Sequence, residues 1–133
     1  MRRLGQLYDD VLEPTGLRST QYTLLSHIRR MASPAVSELA AELVIDRSAM
    51  AHTLRTLERS GLITVAADPN DRRTKRATLT ALGNAKLDQA EALWRVGQDR
   101  FESAVGREDA ANLRAMMDRL ASANFAEAFR NAD

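Results

Sequence analysis

Apolar side chains recur at spacings of three and four through most of these 133 residues, and give way to a β-branched run once, near residue 62. Leu4, Leu7, Tyr8, Val11 and Leu12 form a stripe that predicts a helix from Met1 to Val11, ended by Pro14 and Gly16. Ser19 or Thr20 suits the cap of a second helix, whose apolar face is Tyr22, Leu24, Leu25, Ile28 and Met31 and which Ser33-Pro34 closes. Ala35-Val36 is too short for a helix of its own but suits a strand added to a small sheet. Ser37 then caps a helix through Leu43 that buries Leu39, Ala40 and Leu43, with Glu38 in its first turn. Val44-Ile45 reads as a turn. Asp46 caps the next helix, with Met50, Leu54 and Leu57 facing inward, and Ser60-Gly61 stops it.

The pattern then changes period. Leu62 to Val65 reads as a strand, Asp68-Pro69-Asn70-Asp71 as a turn, and Arg76 to Leu79 as the returning strand. Thr80 caps a long helix to about Val105, which Gly106 ends, and a last helix runs from about Glu108 towards Phe129. The expected fold is mainly α with a small β-hairpin wing: a winged helix-turn-helix lobe with further helices at both ends. In that layout the second helix of the pair enters the DNA major groove, while the hairpin touches backbone and minor groove.

Charge sharpens this reading through its placement, since the chain carries only a formal +1. Residues 46–76 hold seven basic and four acidic side chains, net +3, against net 0 before them and net −2 after. A local basic segment on a near-neutral chain fits a nucleic-acid footprint. The absence of cysteine excludes disulfides, thiol redox sensing and Cys-ligated zinc. Nothing resembles a signal peptide and no apolar run is long enough for a membrane span, so a soluble, cytoplasmic protein with no membrane partner is expected.

Candidate contacts follow from which faces remain. With Met50, Leu54 and Leu57 buried, Arg47, Ser48, Ala51, His52, Arg55 and Thr56 are left outside. Residues near the start of a reading helix usually meet base edges, so Arg47, Ser48, Ala49 and His52 are expected there, with Arg55 and Thr56 on phosphate. On the wing stand Arg72, Arg73, Lys75 and Arg76. Asp71, two residues from Arg73, suits a carboxylate that holds the guanidinium in one pose, and Lys75 and Arg76 suit phosphates. With two histidines and no acidic cluster at ligand spacing, neither a metal nor a cofactor is expected. No phosphate loop and no convincing nucleophile–base pair points to an enzyme.

These residues together resemble the MarR family of bacterial winged-helix transcriptional regulators. The likeness rests on the Ser-Glu-Leu-Ala start at Ser37 and on the Leu-Glu-Arg-Ser-Gly-Leu-Ile end of the Asp46–Gly61 segment. It rests further on Asp71-Arg72-Arg73 leading to Leu79-Thr80-Ala81-Leu82-Gly83, and on Gly16 to Tyr22. The resemblance implies a homodimer held by residues 1–18 and 80–133, with residues 19–79 as the DNA-binding lobe on a palindromic operator. It implies that Arg73 enters the minor groove with Asp71 orienting it, and that a small phenolic or aromatic effector releases the DNA. The first helix is short for that family.

The residues independently support a second copy of the chain. Leu87, Ala90, Trp94, Gly97 and Phe101 form one stripe, and Leu113, Met116, Met117, Leu120, Phe125 and Phe129 add another, more than so small a lobe needs. Tyr22, His27 and Trp94 are the candidate effector contacts. The rival reading is a winged-helix module that binds a ligand or another protein without operator DNA.

Overall fold

The first helix, α1 (Arg2–Leu12), is followed by a 3-10 turn over Glu13–Thr15, in which Pro14 cannot supply an amide, and Gly16 then reverses the chain at φ 75°. The buried Thr15 hydroxyl donates to the Leu12 carbonyl at 2.7 Å and accepts the Leu17 amide at 3.0 Å, so this corner leaves no polar debt. These features come from a computed structural model, which describes residues 2–43 and 45–132.

Helix α2 (Ser19–Met31) starts where expected, but neither Ser19 nor Thr20 caps it. Asp9 of α1 accepts the Ser19 amide at 2.7 Å and Gln21 accepts that of Arg18 at 3.0 Å, so a carboxylate ten residues away does the work of a local hydroxyl. Helix α3 (Val36–Leu43) begins one residue before Ser37, and Glu38 accepts the Ala35 amide at 3.0 Å in place of a Ser37 cap. The expected extra strand reduces to Ala35, which makes a single antiparallel bridge to Arg76, while Val36 is helical. Of the turn expected at Val44-Ile45, Val44 lies outside the described residues.

Helix α4 (Arg47–Arg59) buries Met50, Leu54 and Leu57, and Gly61 leaves it at φ 75°. Strands β1 (Ile63–Asp68) and β2 (Asp71–Leu79) pair antiparallel from Ile63↔Leu79 to Ala67↔Lys75. Beyond Lys75 the register jumps to Asp68↔Asp71, which leaves Arg72, Arg73 and Thr74 without partners on β1. The hairpin is therefore longer than the sequence suggested, and its cations sit on a strand with a bulge instead of a turn tip. Helix α5 (Ala81–Val105) is capped by Thr80, whose hydroxyl oxygen accepts the Gly83 amide at 3.0 Å.

The chain divides into two compact units, one ending at Trp94 and the other starting at Arg95. The first holds the winged helix-turn-helix. Its core joins Leu12, Leu25 and Ile28 to Leu39, Met50 and Leu57, and to Ile63, Ala77, Leu87 and Ala90. Leu87 and Ala90, expected at a seam with a second chain, are thus filled in by their own lobe. In the second unit the last helix is interrupted. Helix α6 (Arg107–Leu120) ends at Ala121, and Ser122 caps α7 (Ala123–Asn131) by accepting the Phe125 amide at 3.1 Å. Glu102 pairs with Arg114 at 3.0 Å. Leu113, Met116, Met117, Leu120, Phe125 and Phe129 are all exposed. No helix among the described residues is long and apolar enough to cross a membrane.

Candidate nucleic-acid interface

Asp46 builds the start of α4. One of its carboxylate oxygens accepts the Ser48 and Ala49 amides at 3.1 and 3.2 Å, two of the donors that a helix start leaves open. A carboxylate there also meets the positive end of the helix dipole. Arg47, Ser48, Ala49, His52 and Arg55 are exposed, and Thr56 is half-covered. The Thr56 hydroxyl donates to the His52 carbonyl at 3.0 Å. A phosphate oxygen only accepts, so in this rotamer Thr56 has no proton to offer it, which departs from the phosphate contact expected of it.

Asp71 shapes the wing bulge, though not by gripping the Arg73 guanidinium as expected. Its two oxygens accept the Arg73 backbone amide at 3.0 Å and the Thr74 hydroxyl at 3.2 Å. The carboxylate thus fixes the backbone that carries Arg72 and Arg73, whose side chains are exposed along with Lys75.

Arg76 departs furthest from expectation. Its Nε donates to Asp68 Oδ2 at 2.7 Å, and one terminal nitrogen donates to the Ser33 carbonyl at 3.1 Å and lies 3.6 Å from Glu38. The physical reason is strand alternation: neighbours on a strand face opposite ways, so Lys75 and Arg76 cannot both point at DNA. Asp68 sits diagonally across the ladder from Arg76, on the same face. The Arg76 hydrogen bond, helped by the Asn70 amide, holds the Asp68 carboxyl below its ordinary range, and Asp68 raises Arg76 in turn.

Of the candidate effector residues, two come together. Tyr22 stacks on Trp94 with ring centroids 4.4 Å apart, and Tyr8, which the sequence did not single out, meets the other partner of that stack at 4.6 Å. His27 is occupied within α2, its Nδ1 donating to the Thr23 carbonyl at 2.8 Å.

The MarR family model matches residues 17–75. The chain is 39% identical to the Mycobacterium tuberculosis transcriptional regulator MOSR, solved in complex with DNA; the match covers 88% of this chain and 89% of that one, with a TM-score of 0.72. The chain belongs to the MarR family.

This MarR-family protein is a DNA-binding transcriptional regulator and not an enzyme. It is similar to the transcriptional repressor CouR bound to a 23-mer DNA duplex, at 27% identity over 90% of this chain and 85% of that chain, with a TM-score of 0.84. CouR from Rhodococcus jostii has also been solved with p-coumaroyl-CoA, at 25% identity and a TM-score of 0.78 over 91% and 85% of the two chains. An HTH-type transcriptional repressor of M. tuberculosis is 29% identical, over 84% of this chain and 80% of its own length. The roles of Asp9 and Tyr8 within the MarR lobe had no local signal, since each acts on a residue brought near by the fold. Arg76 had one, in its odd–even position beside Lys75.

Proposed function

We propose that this protein is a homodimeric, cytoplasmic repressor that binds a palindromic operator and is released by a small aromatic ligand. Residues 19–79 form the DNA-binding lobe, and residues 1–18 and 80–133 the dimerisation region. Arg47, Ser48, Ala49 and His52 meet base edges in the major groove, and Arg55 meets phosphate. Arg73 enters the minor groove from the wing, with Arg72 and Lys75 on the backbone. The apolar faces of α6 and α7 meet the second copy, because six large side chains exposed on two short helices are costly to leave in water. An aromatic ligand would have to join or open the packed Tyr8–Trp94–Tyr22 group, a reading supported by the p-coumaroyl-CoA bound to CouR.

The observation that carries this reading is the free reading face of α4 together with three exposed wing cations in the same unit. The test is binding of the purified protein to its own promoter DNA, with nonspecific competitor, at two salt concentrations. Selective binding at two chains per site, weakening by roughly one power of salt per phosphate neutralised, is the expected result. Alanine at Arg47 and at Arg73 should each cost about 1–3 kcal/mol of binding. A flat salt response, or undiminished binding by both variants, rejects this surface.

A further inference from the structure

We propose that Arg76 is a positioning residue that locks the wing to the linker between α2 and α3, and so sets where Arg72, Arg73 and Lys75 stand relative to α4. The inference rests on the DNA-binding reading above and adds to it a part of the machinery that touches no DNA.

The linker is the strained part of the lobe. Ala32 and Ser33 both lie in the left-handed region, at φ 54° and 60°, where side chains are disfavoured. Such strain persists only where surrounding contacts over-determine it. Here those contacts come from one edge of β2. Arg76 donates to the Ser33 carbonyl, the Thr78 hydroxyl donates to Ser33 Oγ at 3.0 Å, and the Ala77 amide donates to the Pro34 carbonyl at 3.1 Å. Ala35 completes the seam through its bridge to Arg76. Arg76 and Thr78 share a strand face, so a single run of β2 grips the linker.

The other strand is tied to the reading helix. Glu58 of α4 accepts the Val65 amide of β1 at 3.2 Å. The hairpin is thus held between α4 on one side and the linker on the other. A wing released at one of these points would swing about the other. Asp68 completes the lock by holding Arg76 at its Nε, and the pair also cancels charge, so Arg76 adds little net attraction for phosphate.

The sign of one substitution separates this role from direct contact. Removing the Asp68 carboxylate takes a negative charge off the wing, which by charge alone strengthens binding to DNA. Positioning requires the opposite. Asp68→Asn and Arg76→Gln should each weaken operator binding roughly tenfold, the double variant no more than either alone. Arg76→Lys keeps the charge but not the forked geometry, and should weaken binding nearly as much as Arg76→Gln. Hydrogen exchange at the Ala77 amide, measured on the full chain without DNA, should quicken in all three single variants. The proposal is overturned if Asp68→Asn binds as tightly as the parent or tighter, or if Arg76→Lys matches the parent. Should a variant fail to fold, as thermal unfolding would reveal, the remaining two decide. Should the parent itself bind no DNA selectively, the operator reading fails, and exchange at Ala77 then decides the lock alone: faster supports it and unchanged refutes it.

Discussion

Gly83 lies so close against the backbone of Leu62 that a Cβ at position 83 would overlap the Leu62 carbonyl oxygen and stand 2.9 Å from its carbon. The same carbonyl accepts the Thr80 amide at 3.0 Å, and the Thr80 hydroxyl donates to the Gly61 carbonyl at 2.6 Å. The Leu-Thr-Ala-Leu-Gly run is therefore the joint at which the start of α5 seats on the start of β1. Gly83→Ala should destabilise the lobe by about 2–3 kcal/mol, because backbone gives way less easily than a side chain. Thermal unfolding should show a fall in Tm of roughly 10 °C.

Asp46 is predicted to matter to DNA binding through the helix it starts. Asp46→Ala removes the acceptor for two amides and should cost about 1 kcal/mol of stability. Binding should weaken further, because Arg47, Ser48 and Ala49 stand on the turn that frays. Asp46→Asn keeps an acceptor oxygen and should sit between parent and alanine in both melting and operator titration.

Acid should loosen the wing before it unfolds the lobe. Asp68 is held below its ordinary value of 3.8 by Arg76 and the Asn70 amide, so its folded state binds the proton less readily than the unfolded chain does. The stabilisation is present above the unfolded value and is lost as pH falls through the lower, folded one. Ala77 amide exchange, corrected for its intrinsic pH dependence, should rise below about pH 4 in the parent. Asp68→Asn should show fast exchange at every pH, without that acid step.

The exposed faces of α6 and α7 predict the assembly. Met117→Glu with Leu120→Glu should turn a dimer into a monomer in sedimentation, while leaving the melting of the first unit close to the parent. Both side chains are about half exposed within one chain, at 54% and 50%, so charge there disturbs little of the single-chain core. A variant that stays dimeric would remove these helices from the proposed seam.

Much of the fold was legible because its signals are local. Asp46, Thr80, Gly61 and Gly106 announce ends of helices through chemistry within three residues, and Met50, Leu54 and Leu57 declare a face by spacing alone. What was misread depends on partners distant in the chain. Ser19 and Ser37 looked like caps, yet Asp9 takes the Ser19 amide and Glu38 the Ala35 amide instead; Ser122, a true cap, was hidden inside a helical composition. In the site, exposure of the cations on α4 and at the bulge followed from the pattern. Strand alternation set Arg76 apart from Lys75, but its partner was not legible, since Ser33 is 43 residues away and meets it only after β2 has formed.

The carboxylate beneath the wing bulge also bears on the time course of recognition. With Asp71 holding the Arg73 amide and the Thr74 hydroxyl, the strand carrying Arg72 and Arg73 is shaped before any duplex arrives. A slack tip would dock first and settle afterwards, adding a slow phase that does not depend on concentration. A tip already formed leaves a single second-order encounter, steered by charge and slowed by salt. If Arg73 enters the groove as proposed, Asp71 sets how quickly the regulator finds its grip on DNA, which stopped-flow mixing of Asp71→Ala with operator DNA would show as a slow phase independent of concentration.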